Sequence, residues 1–269
     1  MCSNCRAFIT TKDRVCPYCD QPVGPRAIDR RNPSPIAGII PHAHFNTLVI
    51  LLINFGFYLA TSLYSMNAGR GGAMNIDTRT LIDFGACFAP LIAAGQWWRL
   101  VTAGFLHGGL FHILMNSWVL FDLGAVTEEF FGQSRMYAIY LFSTITGFYA
   151  SAWWHPMVPS IGASAALFGL IGAMIAFGIR ERGEAGRKIR GFYVRWLIYG
   201  LVFSLLGFID MAAHVGGLIG GFCLAYIAGT PRWEGAWQEK LWRGVAWVSV
   251  ALTGVCFLEM YLWFTHFAQ

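Results

Sequence analysis

Charge is the scarcest property of this 269-residue chain. Asp, Glu, Lys and Arg together make up 12% of it, about half the ~25% of an ordinary soluble domain. So few charges cannot cover one globule of this size, which excludes a soluble enzyme. The 56% apolar content excludes a disordered chain. The apolar runs lack strict alternation with polar residues, so a transmembrane β-barrel is excluded as well. Residues 1–45 hold no apolar stretch of the signal-peptide kind, and no cleavable leader is expected. No internal repeat is visible, and the middles of the apolar runs carry few ionisable groups, which argues against a transporter.

What is present is aromatic and apolar: 22 Phe, 11 Trp and 10 Tyr. Seven long apolar runs cover approximately 46–65, 111–127, 136–153, 163–179, 192–208, 211–228 and 244–265. Each is near the ~20 residues that a helix needs to cross a bilayer. The short runs 163–179 and 192–208 imply either local thinning or shelter inside a bundle. The expected fold is all-α, a polytopic membrane bundle. Its membrane core spans 46–229, a loop follows at 230–243, and a seventh helix with its tail occupies 244–269.

The 19 Lys and Arg fix the direction of the chain. Sixteen fall on the side of the N-terminus: six in 1–45, Arg135 in a 128–135 turn, six in 180–195 and three in 229–243. Only Arg70, Arg79 and Arg99 lie opposite. The positive-inside rule then puts the N-terminus in the cytoplasm and the C-terminus outside. The bacterial inner or plasma membrane suits this arrangement. Topology accounts for the net charge of +5, so no nucleic-acid partner is expected.

Four of the seven cysteines stand as Cys2-x2-Cys5 and Cys16-x2-Cys19. Paired knuckles of this kind supply four thiolates for a closed, structural Zn²⁺ site. Reduced, unligated thiols are the plainer reading, and a reducing cytoplasm disfavours disulfides. Residues 1–24 thus resemble a short zinc ribbon, with Arg6 and Asp20 where a turn glycine is common. Such a ribbon could recruit a cytoplasmic partner. Residues 25–45 read as a Pro- and Arg-rich linker. Cys87, Cys223 and Cys256 read as buried apolar filler.

Polar groups inside apolar spans are functional candidates by default. Ser164 follows Gly162 at the start of the fourth span; capping or close helix packing would also explain it. His214 opens a sixth span that carries Gly216, Gly217, Gly220 and Gly221. A simple bond from its imidazole to a carbonyl is the alternative. His112 and Asn116 share one face of the second span, either as packing groups or as donors for an oxyanion. Trp98 and Arg99 precede them in a loop that also holds His107, and they read otherwise as an interfacial anchor with a snorkelling Arg. All four places fall near the outer face. A nucleophile, a base and oxyanion donors at one depth are the parts of acyl transfer.

Over 46–229 the chain resembles the rhomboid intramembrane serine proteases. The family's Trp-Arg, HxxxN, GxSx and AHxxGxxxG motifs fall on Trp98-Arg99, on His112 to Asn116, on Gly162 to Ala165, and on Ala213, His214, Gly217 and Gly221. Ala165 stands where many relatives have Gly, and Phe168 where many bacterial relatives have Tyr. Inactive relatives lose the serine or the histidine, and this chain keeps both. The resemblance implies a six-helix core plus a seventh helix. It implies a catalytic Ser164–His214 dyad, with His112, Asn116 and the Ser164 N–H around the oxyanion, and no catalytic cofactor. Gly162, Phe168, Gly217, Gly221, Trp98, Arg99 and His107 would support them. The implied substrates are single-span membrane proteins, entering from the lipid between the second and fifth spans. A non-proteolytic binder of transmembrane helices is the competing expectation. Asp210, four residues before His214, reads as a helix cap rather than as a third catalytic member.

Overall fold

The computed structural model describes residues 2, 5, 7–9, 13, 15–21, 23, 45–181, 183–204, 210–232 and 236–267. The expected linker 25–45 lies outside these residues except for Phe45, as do Arg6 and the end of the fifth span. The described membrane part is helical. Helix α1 is Phe45–Asn67. The connection between α1 and the next long helix carries three short helices: α2 (Thr78–Asp83), α3 (Ala89–Ala93) and α4 (Arg99–Thr102). Then come α5 (Leu110–Val119), α6 (Ala125–Trp154), α7 (Ser164–Arg180), α8 (Glu184–Ser204), α9 (Met211–Ala228) and α10 (Trp237–Phe267).

Among the described residues, four helical stretches are long and apolar enough to cross a membrane: Phe45–Asn67, Leu110–Trp154, Met211–Ala228 and Trp237–His266. The chain is a multi-pass integral membrane protein. Two expectations change in detail. The 128–135 turn is largely helical: α5 runs through a π-helical segment, Leu120–Gly124, into α6. The helical path breaks at Gly132, whose φ of 75° and ψ of 161° end one span and begin the next. The 230–243 loop is shorter than expected, because α10 is already helical from Trp237.

Arg135 and Glu239 form a buried bidentate ion pair, with both N–O distances 2.7 Å. Glu239 also accepts from the Arg232 N–H. Each of these buried charges needs the other, since either one alone would be stranded. At the same end Glu128 accepts from the Asn46 and Thr47 N–H groups and from the Thr47 hydroxyl. It satisfies the open first turn of α1 from another helix.

Helix α7 sits at the centre, with every residue from Ala165 to Gly178 buried. A helix apolar all round belongs inside a bundle. That explains its 17 residues without any thinning of the bilayer. Its neighbour α9 reaches it through glycine. A Cβ on Gly217 would stand 2.0 Å from the Ala165 carbonyl oxygen, and one on Gly221 2.1 Å from that of Gly169. The other two glycines face α6: a Cβ on Gly216 would meet Ala150 at 2.6 Å, and one on Gly220 would meet Thr146 at 2.1 Å. The doubled pattern thus serves two helix contacts, one per face.

Candidate active site

Ser164 is the first residue of α7, and the N-cap position before it is taken by Ala163, so the serine does not stand at the cap. Instead its Oγ lies 2.9 Å from His214 Nε2. The close α7–α9 contact, one turn below, is what brings the two residues together. The His214 ring is 3% exposed and stacks on Phe168, with centroids 4.1 Å apart and planes 15° apart. Stacking needs only the aromatic face, so the hydroxyl that a Tyr would carry is not used for it.

His112 and Asn116 lie on α5, across from the start of α7. Gly162 is the point of contact. It has φ +121°, and a Cβ there would stand 2.8 Å from His112 Nε2 and 3.6 Å from Asn116 Nδ2. Only glycine suits both the dihedral and the space. The His112 Nδ1 accepts from the Gly108 N–H at 3.4 Å, which puts the ring proton on Nε2, facing Gly162. Asn116 Nδ2 is buried with no hydrogen-bond partner among the described residues. The Ser164 N–H begins a helix and has no intrahelical carbonyl to bond. His112 Nε2 and Asn116 Nδ2 therefore both face Gly162, two residues before Ser164. The His107 ring is wholly buried and packs on the edge of His112, centroids 5.1 Å apart.

The loop between α1 and α5 holds this arrangement in place. Arg99 is wholly buried rather than snorkelling. Its guanidinium donates to the carbonyls of Ile82 and Ala86 and to Gln96 Oε1, and lies 4.6 Å over the Trp98 ring. Trp98 is core, whereas Trp97 is exposed. Cys87 and Ser160 exchange two backbone hydrogen bonds, and the Gly162 N–H donates to the Ala103 carbonyl. These three bonds anchor the segment that presents Ser164. Buried Cys87 packs with Ala165 and Ala213 and Cys256 is buried too, as the filler reading expects, whereas Cys223 on α9 is exposed and is not buried filler.

Asp210 caps α9, accepting from the Ala213 N–H at 3.0 Å. Its other oxygen accepts from the Ser151 hydroxyl. One residue near the base escaped the sequence reading: Ser204, whose Oγ lies 2.8 Å from His214 Nδ1. A hydroxyl inside the fifth apolar run was the available signal, and the rule applied to Ser164 would have found it.

At the N-terminus the Sγ atoms of Cys2, Cys5, Cys16 and Cys19 lie within 4.8 Å of one another. Cys2–Cys19 and Cys5–Cys16 are each 3.6 Å apart. Four thiolates at about 2.3 Å from a tetrahedral Zn²⁺ are ~3.8 Å apart, so the cluster could bind zinc. Asp20 adopts φ 51°, the turn conformation for which glycine is the usual residue.

A family model described as a rhomboid domain matches residues 94–231. The rhomboid protease GluP of Bacillus subtilis (strain 168) is 39% identical over 184 residues, covering 68% of this chain and 36% of that protein. RHOMBOID-like protein 6, mitochondrial, of Arabidopsis thaliana is 34% identical, covering 61% of this chain and 54% of that one. Rhomboid-like protease 2 of Toxoplasma gondii is 31% identical, covering 71% and 69%. The chain thus spans between about a third and about half the length of the first two relatives.

Proposed function

This chain belongs to the rhomboid family, and from that premise we propose that it is an intramembrane serine endopeptidase working through Ser164 and His214. The observation that carries the reading is the 2.9 Å approach of Ser164 Oγ to His214 Nε2, with Asn116 Nδ2 buried and without a hydrogen-bond partner among the described residues. His214 Nε2 takes the hydroxyl proton as Ser164 Oγ attacks the peptide carbonyl. The oxyanion forms between the Ser164 N–H, His112 Nε2–H and Asn116 Nδ2–H. As the C–N bond breaks, His214 returns the proton to the leaving amine, and water then releases the acyl group.

The substrate is a single-span membrane protein, cut near the outer leaflet after a small residue. The dyad sits at the outer ends of α7 and α9, so a bond in the inner leaflet is out of reach. A client helix protects its peptide bonds by internal hydrogen bonding and must unwind first. Entry is between α5 and α8. Phe192, Trp196 and Tyr199 are exposed along α8 and form the bulky face of that entrance. The N-terminus lies in the cytoplasm and the C-terminus outside, as the sixteen-to-three division of Lys and Arg supports.

The test is cleavage of tagged single-span clients with Ala, Leu or Phe before the cut, each with and without a Gly pair just inside the membrane. Ala is expected to be cut fastest, and the Gly pair to speed cleavage, since glycine costs a helix about 1 kcal/mol. Clients bound but never cut would mark a helix-binding protein and end the peptidase reading.

The four-cysteine cluster holds one structural Zn²⁺ per chain, remote in sequence from the dyad. Elemental analysis of freshly purified protein should find one zinc, absent when Cys16 and Cys19 are changed to Ser. Deleting residues 1–24 should leave cleavage intact. Zinc-free native protein would refute the site, and loss of cleavage on deletion would refute its separation from the chemistry.

A further inference from the structure

We propose that Ser204 is a positioning residue that holds His214 in its Nδ1–H tautomer, so that Nε2 stands ready to accept the Ser164 proton. The proposal rests on the Ser164–His214 reading above. A general base must present a lone pair to its nucleophile, so the proton of a neutral His214 must sit on Nδ1. Among the described residues no carboxylate bonds Nδ1. Asp210, the nearest acid in sequence, uses its oxygens on the Ala213 N–H and the Ser151 hydroxyl.

The hydroxyl of Ser204 does reach it. Its Oγ lies 2.8 Å from His214 Nδ1 and 2.7 Å from the Gly200 carbonyl oxygen, one turn back along α8. A hydroxyl has one proton, and a carbonyl can only accept. The Ser204 proton therefore goes to Gly200, and its oxygen is left to accept from Nδ1–H. Two links of one hydrogen-bond chain thus fix the tautomer without a charge. When the ring takes up the Ser164 proton, the same oxygen receives a stronger, charge-assisted bond. Ser204 is 4% exposed and His214 3% exposed, so water competes little for that bond.

Gly200 contributes a second contact with the base. A Cβ on it would stand 2.8 Å from Phe168 Cζ, and Phe168 is the ring stacked on His214. One turn of α8 therefore supports the imidazole twice, through the ring under its face and through the hydroxyl at its Nδ1 edge.

The experiment compares the full-length protein with Ser204→Ala, Ser204→Thr, Ser164→Ala and His214→Ala in proteoliposomes. Readouts are kcat and KM on one tagged client, together with histidine-selective nitrogen NMR of the resting enzyme. The His214 signal is assigned by its loss in His214→Ala. The wild-type ring should be protonated at Nδ1. Ser204→Ala should lower kcat about 10- to 100-fold, as expected for a buried donor left without its acceptor, with KM changed less than about twofold. Ser204→Thr keeps the hydroxyl and should recover most of the rate. A folded Ser204→Ala with wild-type kcat, or a wild-type ring protonated at Nε2, would overturn the proposal. If Ser204→Ala does not fold, the wild-type tautomer decides alone. Residual cleavage by Ser164→Ala would instead sink the dyad itself, whatever the tautomer.

Discussion

Replacing Ser164 by Ala is expected to abolish cleavage, and replacing His214 by Ala to do the same. In a serine protease of unrelated fold, loss of either member costs about 10⁶ in kcat. A rate reduced that far would be undetectable in a client-cleavage assay. The two variants should nevertheless fold. The bond between Ser164 and His214 is a side-chain contact that caps no helix. Gly217 and Gly221, which seat α9 on α7, are untouched by either change. The measurement pairs client cleavage with covalent labelling by a serine-reactive phosphonate, and checks folding by thermal unfolding in detergent. Labelling should disappear with cleavage in Ser164→Ala. A well-folded Ser164→Ala that cuts at an appreciable rate would require another nucleophile.

The second large effect is expected at the oxyanion donors. His112→Ala and Asn116→Ala should each lower kcat by about 10²–10³, the effect of removing one such donor in related chemistry. KM should change little, because the donors meet full negative charge only in the transition state. Asn116 is the sharper test. Its Nδ2 is buried with no partner among the described residues, so the ground state loses no hydrogen bond when it is removed. His112→Ala also removes the ring that lies against Gly162 and His107, and a small loss of stability should accompany its kinetic effect. The double variant should fall short of the product of the two single effects, since both act on one oxygen. Unchanged kcat with a raised KM would place these side chains in substrate binding instead.

Much of this arrangement can be read directly from the residues. Ser164, His214, His112 and Asn116 are conspicuous because hydroxyl, imidazole and amide groups are costly in a bilayer. The glycines after His214 are equally legible, since only close helix approach explains four in six residues. The two roles of those glycines are not legible. Gly216 and Gly220 differ from Gly217 and Gly221 by one position, and a sequence cannot say which helix each face meets. Arg99 was open to a snorkelling role because its neighbours Trp97 and Trp98 suit an interface. Its three acceptors come from Ile82, Ala86 and Gln96, and two are backbone carbonyls, which carry no mark in the sequence. The Arg135–Glu239 pair joins residues 104 apart, in segments that read as a turn and a loop. Each charge alone looks like an ordinary inner-face residue.

The sequence by itself determined the membrane class, the helical architecture and the residue types on which the proposed chemistry rests. Those follow from short-range physics: the length of apolar runs, the cost of polar groups in lipid and the side on which cations gather. Tertiary structure alone decided which nitrogen of His214 meets Ser164 and which proton His112 presents to Gly162. It also placed the Ser204 hydroxyl 2.8 Å from His214 Nδ1. Such matters depend on hydrogen bonds of 2.8–3.4 Å set by how helices and loops pack, and composition and spacing carry no information at that scale.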